Sequence, residues 1–70
     1  MTIEKIKENL KENLGSEVRI VFNVGRNKTE EFRAIIKETY NFIFVVETEN
    51  ENKSFSYSDV LTKTVELHFE

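Results

Sequence analysis

The chain of 70 residues holds no cysteine, which excludes a disulfide framework and a cysteine-rich zinc site. It holds one histidine, His68, which by strand alternation lies on the face opposite Leu67 and Phe69. A lone outward imidazole with no nucleophile or second ligand beside it is not catalytic machinery. No glycine-rich loop cradles a phosphate, and no nucleophile elbow is present. Glu47, Glu49 and Glu51 bunch in "ETENEN", but without the aspartate spacing and the glycine of a calcium loop they read as a solvated hairpin tip. A non-enzyme with no metal and no cofactor is therefore expected.

No apolar run approaches bilayer-spanning length, and the N-terminal residues lack the apolar segment of a signal peptide. A cytoplasmic protein with no membrane attachment is expected. The net charge is −3, from 13 acidic and 10 basic side chains, so the basic excess typical of nucleic-acid binders is missing. No repeat, low-complexity tract or linker divides the chain, and residues 1–70 form a single small domain. A chain of this size buries only about 60% of its unfolded surface, so packing alone, helped by a second subunit, must hold it together.

What is present is periodic. Thr2 is a plausible N-cap, and Ile3, Ile6, Leu10 and Leu14 fall on one stripe of a helix over about 2–14. Gly15 follows where a left-handed C-cap belongs. The period then changes to two. Val18, Ile20, Phe22 and Val24 alternate, then Phe32, Ala34 and Ile36 after the turn at Gly25–Lys28, then Phe42, Phe44 and Val46. Phe55 and Tyr57 make a short fourth strand, and Val65, Leu67 and Phe69 a fifth. The pattern predicts a mainly β protein: a small five-stranded antiparallel SH3-like barrel over about 17–69 behind an N-terminal α-helix. "SDVLT" predicts a 3₁₀ turn near 58–62, with Ser58 or Asp59 capping it and Val60 and Leu61 plugging the barrel end.

Two surface features suggest contacts. Arg19, Arg26, Lys28, Arg33 and Lys37 come from the first two strands and their turn, with Tyr40 close by as a ring that can stack a base. Glu30, Glu31 and Glu38 are interleaved with them, so these cations can equally serve to balance acids. Val21, Ile35, Ile43 and Val45 are out of phase with the core residues of their own strands. Such an apolar set marks a contact surface, most economically for a homodimer, otherwise for a protein partner.

The segments "KTEEFRAIIKETYNFIFVVE" and "SYSDVLTKTVEL" resemble the Veg family of small bacterial proteins. The resemblance runs nearly the whole length: Leu14-Gly15, the turn Gly25-Arg26-Asn27-Lys28-Thr29, Glu38-Thr39-Tyr40, Phe44-Val45, and Ser56 to Leu67 against a family pattern "SYSYxDILTxxVEL". Val24 and Asn27 stand where the family's turn often has more glycine and arginine, Asn41 where proline is common, and Ala34 where glycine is common. The resemblance implies an SH3-like barrel that stimulates biofilm formation through transcriptional control, without catalytic residues. Contact with a protein partner, such as a transcriptional regulator, is the expected mode of action. Direct binding of DNA or RNA through the turn around Arg26 and Lys28, as in Sm-like barrels, is the alternative.

Overall fold

A computed structural model describes residues 2–69. Helix α1 (Ile3–Glu12) is followed by β1 (Glu17–Gly25), β2 (Lys28–Thr39), β3 (Ile43–Glu47), β4 (Asn52–Ser56), the single turn α2 (Tyr57–Leu61) and β5 (Val65–Phe69). The strands form one antiparallel sheet in the order β4-β3-β2-β1-β5. This is the mainly β architecture that the alternation predicts.

The sheet curls hard. β1 and β4 are separated in it by β3 and β2, which in a flat sheet would hold them about 14 Å apart. Yet the rings of Phe22 on β1 and Phe55 on β4 lie 6.1 Å apart, with Phe32 at 5.6 Å from the first and 6.3 Å from the second. Two bulges allow this. One lies between Asn23 and Gly25 on β1, and the other between Ile36 and Glu38, where Lys37 is the extra residue of the long strand β2. Among the described residues no ladder joins β4 to β5, so the barrel is open there and α2 spans the gap.

The inward face is the one read from the alternation. Val18, Ile20, Ala34, Ile36, Phe44, Val46, Tyr57 and Val65 are buried, together with Ile6 and Leu10 of α1. The stripe on α1 is shorter than expected, because Ile3 and Leu14 at its ends remain exposed. Thr2 caps the helix as predicted, its Oγ1 accepting from the Lys5 N–H at 3.2 Å. The helix ends earlier than 14, with Asn13 as C-cap. Gly15 is left-handed (φ 84°), but its N–H goes to the Ile36 carbonyl at 2.7 Å, and the Ile36 N–H goes to the Ser16 carbonyl. This glycine ties the helix to β2 rather than closing the helix.

The corner before β5 differs from its prediction in three respects. It is an α-helical turn rather than 3₁₀, closed by Thr62 N–H to the Ser58 carbonyl. Its cap is Ser56, whose Oγ accepts from the Asp59 N–H at 3.1 Å, not Ser58 or Asp59. Its plug is Tyr57, 1% exposed, while Val60 is half-buried and Leu61 is 40% exposed. The reason is phase: a turn starting at Tyr57 continues the inward face of β4, and Leu61, one turn later, overshoots the barrel end. The exit is a Schellman arrangement, with Thr64 N–H to the Asp59 carbonyl and Lys63 N–H to the Val60 carbonyl. It forces Lys63 to φ 63°, where glycine is the usual occupant.

Two outcomes follow for denaturation experiments. Tyr57→Phe loses one buried hydrogen bond and should cost about 1–2 kcal/mol, whereas the exposed Leu61→Ala should cost under about 1 kcal/mol. A larger loss for Leu61→Ala than for Tyr57→Phe would contradict this packing. Lys63→Gly relieves a left-handed side-chain clash and should raise stability by about 0.5–1 kcal/mol, net of the added freedom of the unfolded chain.

Candidate functional site

The six residues expected at a nucleic-acid surface do not come together as one patch. Arg19 on β1 and Arg33 on β2 are direct cross-strand neighbours on the outer face, a like-charge pairing that is unfavourable by itself. Two diagonal acids neutralise it: Glu31 lies 3.7 Å from Arg19, and Glu17 lies 3.1 Å from Arg33. Lys37 faces Glu47 at 3.5 Å in the same manner. Arg26 and Lys28 flank Asn27 (φ 58°) at the β1–β2 tip, about seven residues and roughly 23 Å along the strand from Arg19. Among the described residues, only these two of the five cations named carry no ion pair. Tyr40 sits at the other end of β2.

The four out-of-phase apolar residues face outward, as their phase requires; Ile43 and Val45 adjoin on β3 and Ile35 lies diagonal to Val45, while Val21 stands apart on β1. Val21 has Glu31 and Glu66 as cross-strand neighbours, and Ile35 has Glu17 and Glu47. Val45 lies between Glu38 and Ser54, and Ile43 opposite Ser56. Val21 and Val45 are half-buried among these neighbours, and Ile35 and Ile43 are more exposed. Neither acidic tip nor histidine gathers a metal site: Glu51 faces Lys53 at 3.3 Å, and no cluster of three metal-ligating side chains forms among the described residues. His68 is exposed on β5, opposite Arg19.

The conspicuous site is the turn between β2 and β3, Tyr40-Asn41-Phe42. Phe42 is 81% exposed, and Tyr40 and Ile43 beside it are also exposed. Alternation had placed Phe42 inward with Phe44 and Val46. The structure corrects this, because β3 begins only at Ile43 and Phe42 belongs to the turn. An exposed aromatic ring is informative when its backbone is fixed, since little ordering entropy is then lost on binding. Here three hydrogen bonds hold its main chain, and a fourth reaches a side chain of the turn. The Tyr40 N–H bonds the Ile43 carbonyl at 2.8 Å, and the Tyr57 N–H bonds the Phe42 carbonyl at 3.2 Å. The Tyr57 hydroxyl donates to the Tyr40 carbonyl at 2.6 Å. Lys7 of α1 reaches the Asn41 side chain at 3.5 Å.

Both tyrosines at this turn resist ionisation. The Tyr40 hydroxyl donates to the Glu38 carboxylate, and that bond, with the carboxylate's charge, raises its pKa above the ordinary value. Burial raises that of Tyr57. Each phenol is thus stabilised neutral in the fold, so stability falls as pH rises past the ordinary phenol value of about 10. In a spectrophotometric titration of the native protein both phenols should titrate above that value. Glu38→Gln should lower the Tyr40 transition alone, and a wild-type tyrosine titrating at or below the ordinary value would contradict the geometry.

No helix is long and apolar enough to cross a membrane among the described residues. A family model described as biofilm formation stimulator VEG matches residues 1–68. No curated protein matches the chain.

Proposed function

The chain belongs to the Veg family of biofilm formation stimulators, and from that premise we propose that it is a non-enzymatic, cytoplasmic regulatory module that bears on transcription by contacting a protein partner. The observation that carries this reading is Phe42, an exposed ring on a clamped turn, flanked by exposed Tyr40 and Ile43. Aromatic side chains on a rigid backbone are the usual energetic centres of protein contacts. Catalysis has no comparable support: Arg19, Arg33 and Lys37 on the outer face are engaged with glutamates in exposed ion pairs.

The nucleic-acid alternative is left with the β1–β2 tip. Two exposed cations on a chain of net charge −3 support only weak phosphate binding that disappears near physiological salt. Any such binding should lose about one unit of salt slope per contact in Arg26→Ala and Lys28→Ala.

Phe42→Ser separates the two readings. Its side chain supports no packing, so stability should change by no more than about 0.5 kcal/mol. Biofilm stimulation in cells carrying the variant, and retention of the partner on immobilised protein at physiological salt after nuclease treatment, should both drop to background. The Arg26→Ala/Lys28→Ala variant should retain both. Loss of function in the tip variant with Phe42→Ser unaffected would reverse the assignment.

A further inference from the structure

The two edges of the open barrel are not alike. The β4 edge carries Asn52, Lys53 and Ser54, with Lys53 held over the Phe32 ring at 5.4 Å and paired with Glu51. Polar residues and a lysine of this kind guard an edge against pairing. The β5 edge has no lysine within the strand, although Lys63 just before it lines the groove beside that edge. The Asn23 N–H bonds the Thr64 carbonyl, which fixes the alternation along β5. Thr64, Glu66 and His68 turn their main-chain groups toward β1, and Val65, Leu67 and Phe69 turn theirs to the open side. Along that side runs an apolar groove lined by Ile6, Val60, Val65, Leu67 and Phe69, with Asn9 at its rim.

We propose that β5 pairs through this edge with β5 of a second copy, antiparallel and centred on Leu67. The occupant is argued from the strand itself, because in this register "VELHF" is complementary to its own reverse. Leu67 lies opposite Leu67 of the second copy, and Val65 opposite Phe69, each pair joined by the open main-chain groups. The six apolar side chains of the two strands then fall on the groove side. On the outer face Glu66 lies opposite His68 of the second copy, twice by symmetry, as a close non-hydrogen-bonded pair. The neighbouring register, centred on Glu66, would instead set the two glutamates against each other. Twofold pairing of this kind is closed, so it ends at a dimer. Of the outward apolar residues only Val21, the cross-strand neighbour of Glu66, adjoins this seam; Ile35, Ile43 and Val45 lie on β2 and β3.

The chain's lack of cysteine makes the register directly readable. Glu66→Cys and His68→Cys are both on the exposed face, and circular dichroism checks that each variant folds. Across the paired strands positions 66 and 68 lie about 4.5 Å apart between Cα atoms, within the span of a disulfide. Two copies of position 66, or of position 68, are diagonal and about 7–8 Å apart, beyond it. Mild oxidation of a mixture of the two variants should therefore give the mixed disulfide, and neither variant alone should cross-link. In sedimentation, His68→Glu should weaken the wild-type dimer about tenfold, and adding Glu66→Lys should restore it. A monomer at every concentration, cross-linking of either variant alone, or no recovery in the double variant would each overturn the proposal.

Discussion

The structure depends most on what Tyr57 does. Its ring stacks on Phe44 at 5.7 Å, the planes 24° apart, and continues the aromatic series Phe44, Phe55, Phe32, Phe22 that lines the curled sheet. A buried phenol must place its hydroxyl, and the partner here is the Tyr40 carbonyl at 2.6 Å. Its main-chain N–H takes the Phe42 carbonyl. One residue therefore fills the barrel end, starts α2 and holds the β2–β3 turn. The rigidity of the Phe42 turn is a by-product of satisfying a buried polar group, and mutation of the core at this point reaches the surface at once.

Charge on the outer face works in the opposite sense. Arg19 and Arg33 adjoin, yet each has its own glutamate, and Lys37 has Glu47. Exposed pairs of this kind contribute little stability, on the order of 0–1 kcal/mol. What they provide is neutrality: the face has no segregated field to steer a polyanion. The same lattice spaces out Val21 and Ile35, whose cross-strand neighbours are all glutamates. A face built this way interleaves acid with base and leaves no segregated basic patch on β1 and β2.

Much of this was legible in the sequence, wherever a residue's role follows from local periodicity. The inward phase of the five strands was legible except at their ends, where Val24, in the bulge of β1, and Phe69, at the open edge, are exposed; the N-cap at Thr2 and the left-handed Gly15 were legible too. So was the presence of a helical corner between the last two strands. The failures share a cause. Phe42 fits the alternation of Phe44 and Val46, but alternation holds only inside a strand, and nothing local says that the strand starts one residue later. Leu61 is apolar and next to Val60, but which of Tyr57, Val60 and Leu61 points inward depends on where the turn begins. Lys63 at φ 63° has no sequence signal, since the Schellman bonds to Asp59 and Val60 impose it. The scatter of Arg19, Arg26, Lys28, Arg33 and Tyr40 is likewise a matter of register and strand length. The Ser56 cap could have been found: Ser56 stands three residues before Asp59, the spacing at which a serine hydroxyl meets a backbone N–H of the first helical turn.

Helix α1 lies between the two surfaces proposed for contact. Lys7 reaches Asn41 in the β2–β3 turn, while Ile6 and Asn9 border the groove beside β5. A helix of ten residues is not stable alone in water, so its position is set by what it packs on. Ile6 and Leu10 enter the core, and Gly15 and Ser16 join β2 through both main-chain groups of Ile36. Pairing at the β5 edge would bury the side of α1 that faces the groove and hold the helix more firmly against the sheet. The same helix carries Lys7 toward the turn that presents Phe42. Self-pairing and partner contact would then reinforce each other through one short element, with no competition for surface, since each uses a different side of α1.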